Sequence, residues 1–175
     1  MSTISASTTT LTGLVQSSDV TGQLVFQTGA TPSTSLTLGN NQTIGLNSSI
    51  LEAATVTATA ASGTVNYDAI TQSVLYSTAN ATGNWVVNVR GSSSVTLNSL
   101  LAVGQSLSLT YITTQSATAY YNTGVTIDGS AVTVKWQGGT APASGNASSL
   151  DVYTFVIIKT ASATYTVLGS QTKFA

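Results

Sequence analysis

The sequence predicts an all-β protein: a β-sandwich or jelly-roll-like module preceded by an extended N-terminal arm with short strands. Three observations carry this reading. Apolar residues alternate with Ser and Thr at a period of two in several short runs, as half-buried strands require. Gly, Pro, Asn and Asp punctuate those runs at short intervals, as turns between strands do. The aromatic residues are unevenly spread: of twelve, only Phe26 precedes Tyr67. Large aromatic side chains dominate core energetics. The compact core is therefore expected in residues 52–175, with residues 1–51 as an arm or anchor.

In the arm, Leu24-Val25-Phe26 and Leu36-Thr37-Leu38 read as short strands, with Ile44-Gly45-Leu46 a weaker third. Gly22, Gly29, Pro32, Gly39-Asn40-Asn41 and Gly45 mark the turns between them. Such a segment buries too little apolar area to offset its own ordering entropy. It needs a larger surface, or neighbouring copies, to order it.

The module begins with Val56, Ala58 and Ala60 alternating with Thr55, Thr57 and Thr59. Val74-Leu75-Tyr76 and Trp85-Val86-Val87-Asn88-Val89 are the next strands. Leu97–Val103 can make one helical turn, and Gly104 should stop it. Leu107, Leu109 and Tyr111 alternate with Ser106, Ser108 and Thr110 in another strand. Val125–Ile127, the Asp128-Gly129 turn and Val132–Trp136 read as a hairpin, with Val132, Val134 and Trp136 on one face. Val152–Ile158 is apolar on both faces, as a central strand is. Thr160-Ala161-Ser162 then turns the chain into a last strand over 163–168.

Composition narrows the chemistry. Histidine and cysteine are absent and only 5% of residues are charged, against about a quarter in ordinary domains. A Ser-His-Asp or Cys-His arrangement cannot be built, nor a zinc site of nitrogen and sulfur ligands. The five carboxylates, Asp19, Glu52, Asp68, Asp128 and Asp151, form no pair in sequence. Asp128 reads as a turn residue and Asp151 as the start of a strand after the 137–149 loop. The reading is of a protein that is not an enzyme, with no catalytic residues, no cofactor and no metal. The four cations, Arg90, Lys135, Lys159 and Lys173, are scattered, so no footprint for nucleic acid or an anionic membrane is expected. No run approaches the roughly 18 apolar residues of a membrane span. Met1-Ser2-Thr3-Ile4 lacks the features of a secretory signal, which gives the expectation of assembly in a cytoplasm. A nearly uncharged chain tends to associate, so partners are expected to cover much of its surface.

What remains for recognition is aromatics, hydroxyls and amides. Trp85 and Trp136 lie on alternating strands and are assigned to the core. Tyr120, Tyr121 and Asn122 fall at a strand end or loop, where a ring can face outward. Gly138 and Gly139 lie in the loop that follows Trp136. These five are the candidate surface-contact residues.

A set of segments suggests a family. Val65-Asn66-Tyr67-Asp68 and Asn84-Trp85-Val86-Val87-Asn88-Val89-Arg90-Gly91 are followed by Lys135-Trp136-Gln137-Gly138-Gly139-Thr140-Ala141-Pro142. Asp151-Val152-Tyr153-Thr154-Phe155 and a closing Gln171-Thr172-Lys173-Phe174-Ala175 complete it. Over about residues 55–175 this order resembles a C-terminal module of virion structural proteins from marine tailed bacteriophages, notably cyanophages. The resemblance implies a surface-exposed or fibre-like part of a particle, assembled in the host cytoplasm: capsid decoration, head fibre or short fibre. Residues 1–51 would attach it to capsid or tail proteins and the β-module would project outward, as a homotrimer. The alternative is a tail-fibre tip that binds a host surface glycan.

Overall fold

The computed structural model describes residues 51–175, together with the backbone of Gln27–Thr28 and Ser33–Thr34. The chain divides into two units, 1–48 and 49–175. In the first, β1 (Gln27–Thr28) pairs antiparallel with β2 (Ser33–Thr34), bracketing the Gly29–Pro32 stretch read as a turn. The arm strands expected at 24–26, 36–38 and 44–46 lie outside the described residues.

The second unit is all-β, with ten strands in two sheets. The strands are β3 (Ala54–Thr57), β4 (Gly63–Asp68), β5 (Val74–Asn80), β6 (Trp85–Arg90), β7 (Ser106–Thr114), β8 (Asn122–Ile127), β9 (Ser130–Val132), β10 (Val134–Trp136), β11 (Leu150–Ala161) and β12 (Thr164–Phe174). Six form one sheet in the order β10-β12-β11-β7-β5-β3, and four form the other in the order β4-β6-β8-β9. From β3 to β8 the chain changes sheet at every step. Successive strands of one sheet therefore run parallel: β3 with β5, β5 with β7, β4 with β6, β6 with β8. A jelly roll is an antiparallel architecture, so the jelly-roll-like connectivity is not what these strands form. A period of two reports that strands are half-buried. It carries no information on whether neighbours run parallel.

Alternation sets which side chains face the core. In the six-stranded sheet, Leu75, Tyr111 and Tyr153 occupy one register row, and Leu109 and Phe155 the next. All five are buried. From the four-stranded sheet come Tyr67, Trp85, Val87, Val89, Val125 and Ile127. Trp85 joins the layers: its ring meets Tyr111 edge-on at 6.1 Å and Tyr153 at 5.7 Å. Such aromatic contacts add about 0.5–1.5 kcal/mol each to the area they bury. Strand β4, which the sequence reading leaves unassigned, carries only Val65 and Tyr67 as its inward pair.

The hairpin expected at Asp128-Gly129 forms between β8 and β9, with Val125 opposite Val132. Asp128 (φ 51°) and Gly129 (φ 82°) are both left-handed, as a two-residue hairpin turn of matching twist needs. The hairpin is shorter than expected. Beyond Thr133 the chain leaves for the other sheet, and β10 pairs parallel with β12. Val132, Val134 and Trp136 all still pack on the core. The final strand is longer than expected and reaches Phe174.

The expected helical turn is α1 (Leu97–Leu100), and Gly104 follows with φ 87°. Its backbone ends are satisfied by side chains from elsewhere. The Asp128 carboxylate accepts from the Leu97 and Asn98 amides at 2.7 and 3.0 Å, and Thr96 Oγ1 accepts from Ser99 at 3.1 Å. At the other end, Lys159 Nζ donates to the Asn98 and Leu101 carbonyls at 2.5 and 2.9 Å. An anion at the N-terminus and a cation at the C-terminus both suit the peptide dipoles.

The outer face of the four-stranded sheet is polar and internally bonded. Asn88 Nδ2 donates to Asn66 Oδ1, while Asn88 Oδ1 accepts from Thr126 Oγ1, both at 2.8 Å. One row on, Asp68 on β4 sits beside Arg90 on β6, with Nε to Oδ1 at 2.5 Å.

Two outcomes follow. Lys159→Met should lower the unfolding free energy by about 1–3 kcal/mol, since it strands two carbonyls; chemical denaturation and faster amide exchange at Leu100 and Leu101 check this. Burial raises the pKa of Tyr67, Tyr111 and Tyr153 above the ordinary phenol value. Above about pH 10 the folded chain then holds more protons than the unfolded one. Stability should be insensitive to these groups below that pH and fall as pH rises beyond it. Tyrosinate absorbance should accordingly show a late phase that coincides with unfolding.

Candidate functional site

At one end of the sandwich β6 and β8 begin, β7 ends and β11 begins. Loops 115–121 and 137–149 meet there. At their centre is Asp151, which is fully buried. Its Oδ2 accepts from Gln115 Nε2 at 2.8 Å and from the Asn146 amide at 3.0 Å, and its Oδ1 accepts from Gln171 Nε2 at 3.2 Å. Donors on every side replace the water that a buried carboxylate has lost.

The two glutamines carry the network outward. Gln115 holds Tyr120 by both backbone groups, donating to its carbonyl at 2.7 Å and accepting from its amide at 3.0 Å. Gln171 Nε2 reaches the Ser144 carbonyl and the Tyr153 hydroxyl, each at 3.0 Å. The same hydroxyl accepts from the Asn122 amide at 3.2 Å. Burial of this phenol raises its pKa, so it stays a neutral partner. Gly145 closes the packing. A Cβ there would lie 2.8 Å from Asp151 Oδ2 and would run into the Tyr120 carbonyl.

The candidate contact residues divide. Tyr120 and Tyr121 are half-buried, and Tyr120 packs on the core. Asn122 is a correction: it opens β8 and is only 1% exposed, with its Nδ2 donating to the Gly124 carbonyl at 2.9 Å. Inward alternation on β8 takes it off the surface. Gly138 and Gly139 are exposed, in a single 3-10 turn over Gln137–Gly139, with φ of 73° and 78°. They serve the backbone turn. The Tyr120 carbonyl meets the loop at Gly145, several residues beyond Gly138 and Gly139.

A shallow groove lies beside β12, lined by Trp136, Gln137, Thr140–Pro142 and Ser170–Lys173. The sequence places Trp136 in the core. It is half-buried, with one edge on Phe155 at 5.8 Å, and it also lines the groove. The sequence signal for the groove is the Trp-Gln-Gly-Gly-Thr-Ala-Pro block itself. Gln171 and Asp151 carried no signal of their own, because nothing in sequence relates 115, 146, 151 and 171. Among the described residues, no three His, Cys, Asp or Glu side chains gather where they could hold a metal ion.

Scans of family models, curated proteins and solved structures return no match. The site therefore stands on its geometry: a hydrogen-bonded, loop-bearing end with a polar groove and Trp136 in its wall.

Gly145→Ala should cost about 1–3 kcal/mol by overpacking and should lift loop 137–149 from Tyr120. Thermal denaturation, and loss of exchange protection at the Asn146 amide, measure it.

Proposed function

We propose that this chain is a structural component of a bacteriophage particle, exposed on its surface as a capsid decoration, head fibre or short fibre. Residues 1–51 would attach it to capsid or tail proteins, and the β-module would project outward in an assembly of identical copies.

One observation carries the reading beyond the sequence resemblance. Between residues 51 and 175 there are eight charged residues. Asp68 and Arg90 pair with each other, Asp128 and Lys159 secure α1, and Asp151 is sealed in its network. Lys173 Nζ rests on Ser144 Oγ at 3.0 Å. Glu52 and Lys135 are left without such a role, on an exterior rich in hydroxyls, amides and apolar side chains, Leu51, Ile70 and Phe174 among them. A surface of that kind suits close packing against other chains.

A second reading is favoured by the groove beside β12. Trp136 offers a flat apolar face, and Gln137, Thr140 and Gln171 offer donors and acceptors beside it. That pairing fits a sugar ring, so a host surface glycan is its proposed occupant.

The test is location. Antibodies against the module should label the exterior of intact purified particles, and mass spectrometry should recover the chain from them. Particles free of the chain would overturn the reading. Glycan-array binding by the full chain, weakened by Gln137→Ala, would give the second reading precedence.

A further inference from the structure

The two outer faces of the module differ in kind. The outer face of the four-stranded sheet is a hydrogen-bonded polar ladder, Asn66–Asn88–Thr126, beside the Asp68–Arg90 pair. The outer face of the six-stranded sheet carries apolar rows alternating with hydroxyls. One register row crosses four strands as Val56, Tyr76, Ile112 and Val152. Two rows further along β11, Val156 stands opposite Leu168. Val56 is 65% exposed and Leu168 42%. Tyr76, Ile112, Val152 and Val156 are half-buried, flanked by their neighbours in the sheet.

We infer that this face packs on the same face of a second copy of the chain. Charge is the first argument. Across β3, β5, β7, β11 and β12 no outward position carries a charged side chain; Lys135, on the edge strand β10, is the only charged residue in these rows. A surface laid on a copy of itself doubles every charge it holds, so a face with one charge at its rim meets no repulsion at its centre. A partner of different chemistry would find no charge there to select it. Size is the second argument. Six strands at about 4.8 Å spacing, from three to twelve residues long at about 3.3 Å each, present an area of roughly 700 Å². A stable interface needs about 800 Å² from each partner. Sheet-on-sheet stacking at about 10 Å would bury the Val56–Val152 row as a core is buried. The central rows hold Thr110, Thr154 and Ser170 between the apolar ones, each able to bond across a contact. This pairing rests on the assembly of identical copies in the particle reading and is separate from where on a particle the chain sits.

The test uses the purified full chain, with mass measured by light scattering across a dilution series. The parent chain is expected at twice 17.7 kDa, because a face laid on its own copy closes as a pair. Ile112→Lys should weaken association about thirtyfold or more. Thr154→Lys is the second variant. It places a charge mid-face at a position already exposed and polar, so the core is untouched. Ala131→Lys, on β9 of the other sheet, should keep the parent mass. Unchanged near-ultraviolet circular dichroism shows that each variant is folded. A monomeric or trimeric parent, or a folded Thr154→Lys that keeps the parent mass, would overturn the inference. Neither result bears on whether the chain is found in particles.

Discussion

A sandwich of two sheets is sealed along its inner faces by apolar side chains, but its ends are open. There the strands stop, the loops leave and backbone groups lose their ladder partners. In this module three charged side chains close those ends. Asp128 and Lys159 take up the free amides and carbonyls of α1 at one end. Asp151, with Gln115 and Gln171, ties two loops together at the other. Each is a charge moved from water into hydrogen bonds, which holds only where partners fill its positions. A chain with few charges that places them at its ends keeps few for its exterior. The bare surface and the closed ends are two aspects of one allocation.

Between the ends, the layers depend on Trp85. It opens β6 and is buried, with Tyr111 and Tyr153 edge-on to it. Tyr111 shares a hydrogen bond with Ser77 Oγ at 3.0 Å, and Tyr153 leads to Gln171 and Asp151. The aromatic contact therefore couples the hydrophobic core to the network that holds the loops. The coupling has a cost: Trp85 Nε1 and Asn122 Oδ1 are buried without a protein partner. The apolar packing around them must outweigh two unsatisfied groups, each about 1–3 kcal/mol.

Much of this fold was legible in the chain. Alternation in 106–111 marks β7 because Ser and Thr separate the buried residues, and the run 152–158, apolar on both faces, marks β11 as a central strand. Asp128-Gly129 announces its turn because few other residue pairs take two left-handed conformations easily. Sheet membership was not legible. Val132, Val134 and Trp136 keep a single period across the point where the chain changes sheet, so β9 and β10 read as one strand. The same limit hid the parallel pairing, which depends on where strands go and not on which face they bury. At the candidate site, Tyr120 and Asn122 looked equivalent, two residues apart near a strand end. Their fates differ because β8 begins at Asn122, and its inward turn is set by Tyr153 and Trp85 from distant segments.

The difference between the two outer faces bears on how an assembly would form. Long-range charge speeds and orients encounter, and this module has little of it. Association would then proceed at the ordinary rate of uncharged surfaces, with its specificity drawn from short-range fit. A pleated face supplies such a fit, since ridges of Val, Ile and Tyr match only certain offsets of another sheet. Thr110, Thr154 and Ser170 in the rows between would penalise offsets that bury a hydroxyl unpaired. The bonded Asn66–Asn88–Thr126 ladder on the opposite face offers no comparable gain, because its polar groups already have partners and it has little apolar area to bury. If the apolar rows pair as proposed, one face would associate and the other remain in water, which would give copies of the chain a defined orientation without recourse to charge.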